Sequence, residues 1–140
     1  MTVFTHALQI SMQGDSHVEN LTQSMQNILS QSGVTNGTFT LFVKHTTAAV
    51  MIIEDEPGIR ADTQNFWNGI IPPKRDWEHN TRNAGEDNGH SHLRGQLQGP
   101  SLTVPVVQGA LTLGTWQQIV LIDFDTRART RELVVQIMGE

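Results

Sequence analysis

The stretch that decides the fold class is Ser101–Met138, SLTVPVVQGALTLGTWQQIVLIDFDTRARTRELVVQIM. Four segments in it, Leu102–Val107, Ala110–Leu113, Gln118–Phe124 and Glu132–Met138, are rich in β-branched and aliphatic residues and are separated by turn-forming residues. Such a run of short apolar segments reads as consecutive strands. Pro105 cannot donate to a ladder, so its strand is expected at an edge or a bulge.

Working back towards the N-terminus, residues 74–92 are rich in Asn, Asp, Glu and Gly and have no apolar period. A loop of that length in a small domain is usually functional or mobile. Ile59, Thr63, Phe66, Trp67 and Ile70 follow a Pro57-Gly58 turn at helical spacing, and Pro72-Pro73 closes that helix. Phe39–Val43 and Ala48–Ile53 read as strands around Lys44-His45-Thr46-Thr47, which places His45 near a strand end. Val18, Leu21, Met25, Ile28 and Leu29 predict an amphipathic helix, with Asp15 or Ser16 as N-cap and Gly33 as its stop. Alternation from Val3 to Met12 gives a half-buried first strand. The element order is α+β, a largely antiparallel sheet with two main helices in a single domain over residues 1–140.

Composition narrows the functional classes. A chain of 140 residues with 37% hydrophobic and 16% charged residues has enough apolar material for one core. The formal net charge is −5, and the nine basic residues are scattered, which argues against nucleic acid as a partner. Cysteine is absent, so any transition-metal centre must use histidine and carboxylate ligands. The longest apolar run, Ala48–Ile53, is far short of a membrane span, and the N-terminus has no basic-then-apolar leader pattern. A cytoplasmic protein without membrane association is expected.

Three local patterns carry a family resemblance: His45-Thr46-Thr47-Ala48-Ala49 followed by Glu54-Asp55-Glu56-Pro57, Arg60 and Asp62; Glu78-His79 followed by Glu86-Asp87-Asn88-Gly89-His90-Ser91-His92; and Ser101–Val106 running through Gly109 into Leu113-Gly114-Thr115-Trp116-Gln117-Gln118-Ile119. The Gly-Thr-Trp-Gln tetrapeptide is the most specific of these. Together they resemble the YjbQ-like family, the group described as secondary thiamine-phosphate synthase enzymes. Where that family usually has Asn-Glu-Asn, this chain has Ile53-Glu54-Asp55, which supports Glu54 more than Asp55 or Glu56.

The resemblance implies a YjbQ-like α+β fold assembled as a homotrimer, and a weak transferase activity joining a pyrimidine diphosphate to a thiazole phosphate. It also implies a divalent metal, zinc or magnesium, on His45, His79 and His92, with Glu54 and Asp62 as the catalytic carboxylates. Neutral imidazole suits borderline divalent ions, and a carboxylate beside it supplies charge. Spacing alone makes these histidines polar loop residues, and it is the resemblance that turns the preference. His90 is expected to be a solvated neighbour. Asp62 could equally favour the N-terminal end of its helix through the macrodipole.

Arg127, Arg129 and Arg131 would share one face of an extended strand and suit phosphate oxygens. The resemblance favours Arg131, with Thr115 and Gln117, for binding a small phosphorylated substrate. Gln117 could instead satisfy a backbone group, and Trp116 is most simply a core or interface aromatic. Two other functions use the same residues: a non-catalytic trimeric metabolite-binding protein with a structural metal, and a metal-dependent hydrolase of a phosphorylated metabolite.

Overall fold

The computed structural model describes residues 1–140. Its elements are β1 (Thr2–Met12), β2 (His17–Asn20), α1 (Thr22–Ser32), β3 (Gly37–Val43), β4 (Ala48–Ile53), α2 (Pro57–Ile70), α3 (Glu78–Arg82), α4 (Gly89–Gln98), β5 (Ser101–Val107), β6 (Ala110–Leu111), β7 (Gln118–Asp123) and β8 (Arg129–Gly139). They form two antiparallel sheets, one ordered β1-β8-β3-β5-β6 and the other β2-β7-β4.

The period-two pattern decides which residues face inward. Phe39, Leu41 and Val43 of β3 and Leu133, Val135 and Ile137 of β8 turn one face of the large sheet into the core. Ala48, Val50, Ile119 and Leu121 bring the small sheet against them, and Met25, Ile28 and Leu29 of α1 complete the same cluster. The opposite face of the small sheet carries Ala49, Met51, Val120 and Ile122, covered by Trp67 of α2 and by Phe124. Because β4 and β7 are buried on both faces, they appear in the sequence as continuous apolar runs rather than alternating ones. The outer face of the large sheet has no covering layer, and Val3, Phe42, Val107 and Met138 are exposed there.

The α+β class, the antiparallel pairing and the later strands agree with the sequence reading. Pro105 lies in β5, which is bordered on its outer side only by the two-residue β6. The first helix begins later than its apolar period suggests. Val18 belongs to β2, paired with Ile122, and the helix starts at Thr22. Residues 74–92, expected as one long loop, contain α3 and the first turn of α4. The buried face of α4 is Gly89, His90, Ser91, Arg94 and Gly95, so it has no apolar stripe to reveal it. A Cβ at Gly95 would come within 2.5 Å of the Thr46 carbonyl oxygen, which is how α4 lies against the entrance to β4. No helix is long and apolar enough to cross a membrane.

The Trp67 ring meets Phe124 edge-on at 4.9 Å between centroids and fills the layer under α2. Trp67→Ala is expected to lower unfolding free energy by about 3–5 kcal/mol. Phe66→Ala, at an exposed neighbour, should change it by only about 0.5 kcal/mol. Urea denaturation of both variants checks this, and similar losses would mean that Trp67 does not anchor the helix.

Candidate functional site

The end of β7, the start of β8 and the segment leading into β4 meet at one end of the two sheets. Asp123 is the last residue of β7 and pairs in register with Ala48, the first of β4. The Phe124 N–H donates to the Thr47 carbonyl at 2.9 Å, fixing the 45–47 segment beside the turn after β7. Arg131 arrives from β8 in the other sheet and is buried, with Nε 2.6 Å from Asp123 Oδ2 and one Nη 2.7 Å from Oδ1. That Nη also donates to Thr47 Oγ1 at 2.8 Å, and Thr47 donates in turn to Asp125 Oδ2 at 2.9 Å.

Asp125 is the hub of this network. Burial acts to raise its carboxyl pKa, but hydrogen bonds from the Thr126 N–H, Thr47 and Asn88, with the charge of Arg129, outweigh that and hold it below its ordinary value. Asn88 donates through Nδ2 to Asp125 Oδ1 at 3.3 Å, which leaves its Oδ1 to accept from His79 Nε2 at 3.1 Å. His79 therefore carries its proton on Nε2 and has a lone pair on Nδ1. The His79 and His92 rings lie 4.5 Å apart. Burial, then the charge of His79, lowers the pKa of His92. Arg129 is half-exposed and ion-paired with Asp125, Nε lying 2.7 Å from Oδ2, and it makes no other ion pair.

These groups line a cavity of about 330 Å³ with no hydrophobic residue in its wall, made by His45, Thr46, Thr47, His79, Glu86, Asn88, His92, Asp125, Arg129 and Arg131. All three predicted histidines thus reach one cavity. They are not equivalent there. His45 Nε2 accepts a hydrogen bond from the Glu132 N–H at 2.9 Å, so its proton is on Nδ1 and neither nitrogen offers a free lone pair. No three imidazole or carboxylate groups come close enough together to share one ion. His79 and His92 fit a metal by chemistry, and the Asn88–Asp125 relay behind His79 is the kind of outer partner that orients a ligating imidazole.

Several other sequence assignments fall elsewhere. Glu54 and Thr115 line a separate cavity with Asp55, Glu56 and Trp116, which has no histidine in its wall. Asp62 is exposed on α2 and lines neither cavity. Gln117 Oε1 accepts from the Gly114 N–H at 2.8 Å, so it closes a turn. Trp116 is 71% exposed and is not a core residue of the chain. Glu56 caps α2, accepting from the Gly58 and Ile59 N–H groups, and Asp55 pairs with Arg60. Arg131 lines the histidine cavity as well: its Nε and one Nη are bonded to Asp123 and Thr47, while the other Nη makes no hydrogen bond within the chain, so Arg129 and Arg131 both offer donors to an anion. His90, expected to be solvated, is 4% exposed. Asp123, Asp125 and Arg129 also build the site; the sequence reading named Arg129 among three arginines for anion binding, with Arg131 preferred, and gave the two aspartates no role.

A family model described as UPF0047 protein YjbQ-like matches residues 6–140. The chain belongs to the YjbQ family. A UPF0047 relative from Methanothermobacter thermautotrophicus is 34% identical over 140 residues, covering 100% of this chain and 95% of its own. One from Synechocystis is 36% identical over 135 residues, covering 95% of this chain and 90% of its own. Among solved structures, a YbjQ-like protein of unknown function from Sulfolobus solfataricus superposes with a TM-score of 0.93 at 32% identity, covering 99% of each chain. A hypothetical protein from Aeropyrum pernix gives 0.90 at 34% identity, covering 98% of this chain and 99% of its own. The YjbQ-like α+β fold is thereby shared with these structures.

The depressed Asp125 pKa makes stability depend on pH. A carboxyl held below its unfolded value of 3.8 contributes stability fully above that pH, and the contribution is lost as pH falls through the folded value. Asp125→Asn is expected to cost about 2 kcal/mol at neutral pH. The difference from wild type should shrink as pH falls below about 4. Urea unfolding of both proteins across that range measures it, and a difference independent of pH would contradict the assignment.

Proposed function

We propose that the His79–His92–Arg129 cavity is the active site of a small metal-assisted enzyme acting on a phosphorylated substrate. The observation that supports this most is the meeting of ligand atoms and guanidinium donors: a lone pair on His79, an unpartnered imidazole at His92 and the Arg129 guanidinium, paired to Asp125 through Nε, all line one polar cavity. Guanidinium groups match phosphate oxygens bidentately. A divalent ion, zinc or magnesium, would be held by His79 and His92 and would supply charge neutralisation at the phosphate. Two imidazoles are few for a resident ion, so substrate oxygens would complete its ligands.

The chain's own groups have distinct parts in this reading. Arg129 binds the anion, while Asp125 holds Arg129 through Nε. Asn88 sets the His79 tautomer. Arg131 is paired with Asp123 and Arg129 with Asp125, so anion binding would rest on the guanidinium N–H groups left without acceptors rather than on net charge. The reaction favoured by the family resemblance is a weak thiamine-phosphate synthase-like transfer, joining a pyrimidine diphosphate to a thiazole phosphate as the carbon–oxygen bond to the diphosphate breaks and pyrophosphate leaves.

Calorimetric titration of the zinc- or magnesium-loaded protein with inorganic pyrophosphate tests the site. Arg129→Gln is expected to weaken binding about tenfold. His79→Ala with His92→Ala should abolish its dependence on metal. Equal binding in wild type and Arg129→Gln would remove the anion assignment, and no product from the two thiamine precursors would remove the transfer.

Assembly as a homotrimer is proposed from the same resemblance and is supported by the uncovered outer face of the large sheet, where Val3 and Met138 are neighbours in register. Thr5 opposite Gln136 and Ala7 opposite Val134 continue that face with small or weakly polar groups. An uncovered sheet face of this mixed kind, weakly polar with apolar side chains among it, matches the composition of interfaces between subunits. Light scattering should give a mass near three chains, and a value near the 15.6 kDa of one chain would overturn the assembly.

A further inference from the structure

A further cavity, of about 250 Å³, shares His45, Thr46 and His92 with the histidine cavity. Two spaces with these wall residues in common are no further apart than the width of those side chains. The rest of its wall is Ala48, Gly95, Gln96 and Pro100, none of which has a part in the proposed reaction.

Backbone contacts fix this wall. Gly95 lets α4 approach so closely that a Cβ there would lie 2.5 Å from the Thr46 carbonyl oxygen. The Gly99 N–H donates to the Gly95 carbonyl at 2.8 Å, closing the helix, and the Pro100 carbonyl accepts from the Val43 N–H at 2.8 Å. The recess is therefore held between α4 and the approach to β4, with Pro100 tied to the end of β3. It owes its shape to the main chain more than to mobile side chains.

The two cavities differ in charge. Glu86, Asp125, Arg129 and Arg131 all line the first, and no carboxylate, lysine or arginine lines the second. An ionised group entering the second would give up water without meeting a counter-ion, which is costly, whereas an uncharged group would not. The volume sets a scale as well, since an apolar cavity of ~150 Å³ holds a benzene ring. The Gln96 carboxamide is exposed and makes no hydrogen bond within the chain. Its oxygen can accept from an entering group and its NH₂ can donate to one, without adding charge.

We propose that this recess takes the organic part of the phosphorylated substrate, an uncharged group about one ring in size whose polar edge is bonded by Gln96, while the phosphate lies with Arg129 in the first cavity. The inference rests on the phosphate assignment of the first cavity and adds the substrate class to it. That class is phosphate esters of neutral rings, bound in preference to free phosphate and to esters with a charged organic group. Gln96 is the specificity-determining residue.

Calorimetry of the full-length protein with magnesium present, comparing 4-carbamoylphenyl phosphate, O-phosphotyrosine and inorganic phosphate, tests this. The carbamoyl ester is expected to bind about tenfold tighter than either of the others. Gln96→Leu should weaken the ester about fivefold and leave inorganic phosphate unchanged. Gln96 is exposed on α4, so the variant should fold. Nuclear Overhauser contacts from the ester's ring protons to Pro100 should place the ring in the recess. Inorganic phosphate bound as tightly as the carbamoyl ester would overturn the recess and leave the anion site standing. Equal binding of phosphotyrosine would overturn the preference for neutral groups, and ester binding unchanged in Gln96→Leu would overturn the role of Gln96. Failure of all the compounds to bind would overturn the anion site, and this inference with it.

Discussion

Two sheets that share no strand are joined at one end by a buried charge pair. Arg131 from β8 makes two hydrogen bonds to Asp123 at the end of β7, with both side chains almost fully out of solvent. Desolvating two ions is costly, and the cost is offset only where geometry is good and remaining donors are satisfied. Here the guanidinium also meets Thr47, and the second carboxylate, Asp125, lies 3.7 Å away. The turn from β7 to β8, the approach to β4 and the orientation of the histidine cavity all depend on this arrangement. A purely apolar plug could hold the sheets together, but it could not present Thr47 and Asp125 to the cavity with defined hydrogen-bond roles.

Polarity increases in steps from that pair outward. Asp123 and Arg131 cancel one another in the interior. Asp125 is shared between Thr47, Asn88 and the half-exposed Arg129. His79 and His92 stand at the solvent side, one with its tautomer fixed through Asn88 and the other with burial disfavouring its charged form. Such grading lets burial favour the neutral His92 imidazole even beside a cluster of four formal charges, because those charges are paired with one another.

The strands were legible because apolar alternation and β-branched runs report directly on which faces are buried. Helix α4 was not, because its inward face is glycine, serine, histidine and arginine, and those residues pack through hydrogen bonds rather than apolar area. The start of α1 was misplaced for a related reason: Val18 falls on the helical period by chance while its backbone is paired to β7. In the site, the histidines stood out through the family motifs, whereas Asp123 and Asp125 sit in Asp-Phe-Asp-Thr-Arg, a composition that also suits an ordinary turn. Glu54, Asp62 and Thr115 lie outside the histidine cavity because sequence proximity to a motif says nothing about which side of the small sheet a residue ends on.

Phe124 shows how closely the layers are coupled. Its N–H is bonded to Thr47, its carbonyl to Ser91 of α4, and its ring packs edge-on against Trp67 of α2. One residue therefore links the cavity wall, the polar helix and the apolar helix through three different kinds of contact. Local opening of either helix would have to break contacts at this residue, so the Phe124 amide should exchange with solvent only through large-scale unfolding, placing the cavity wall in the most slowly fluctuating part of the chain.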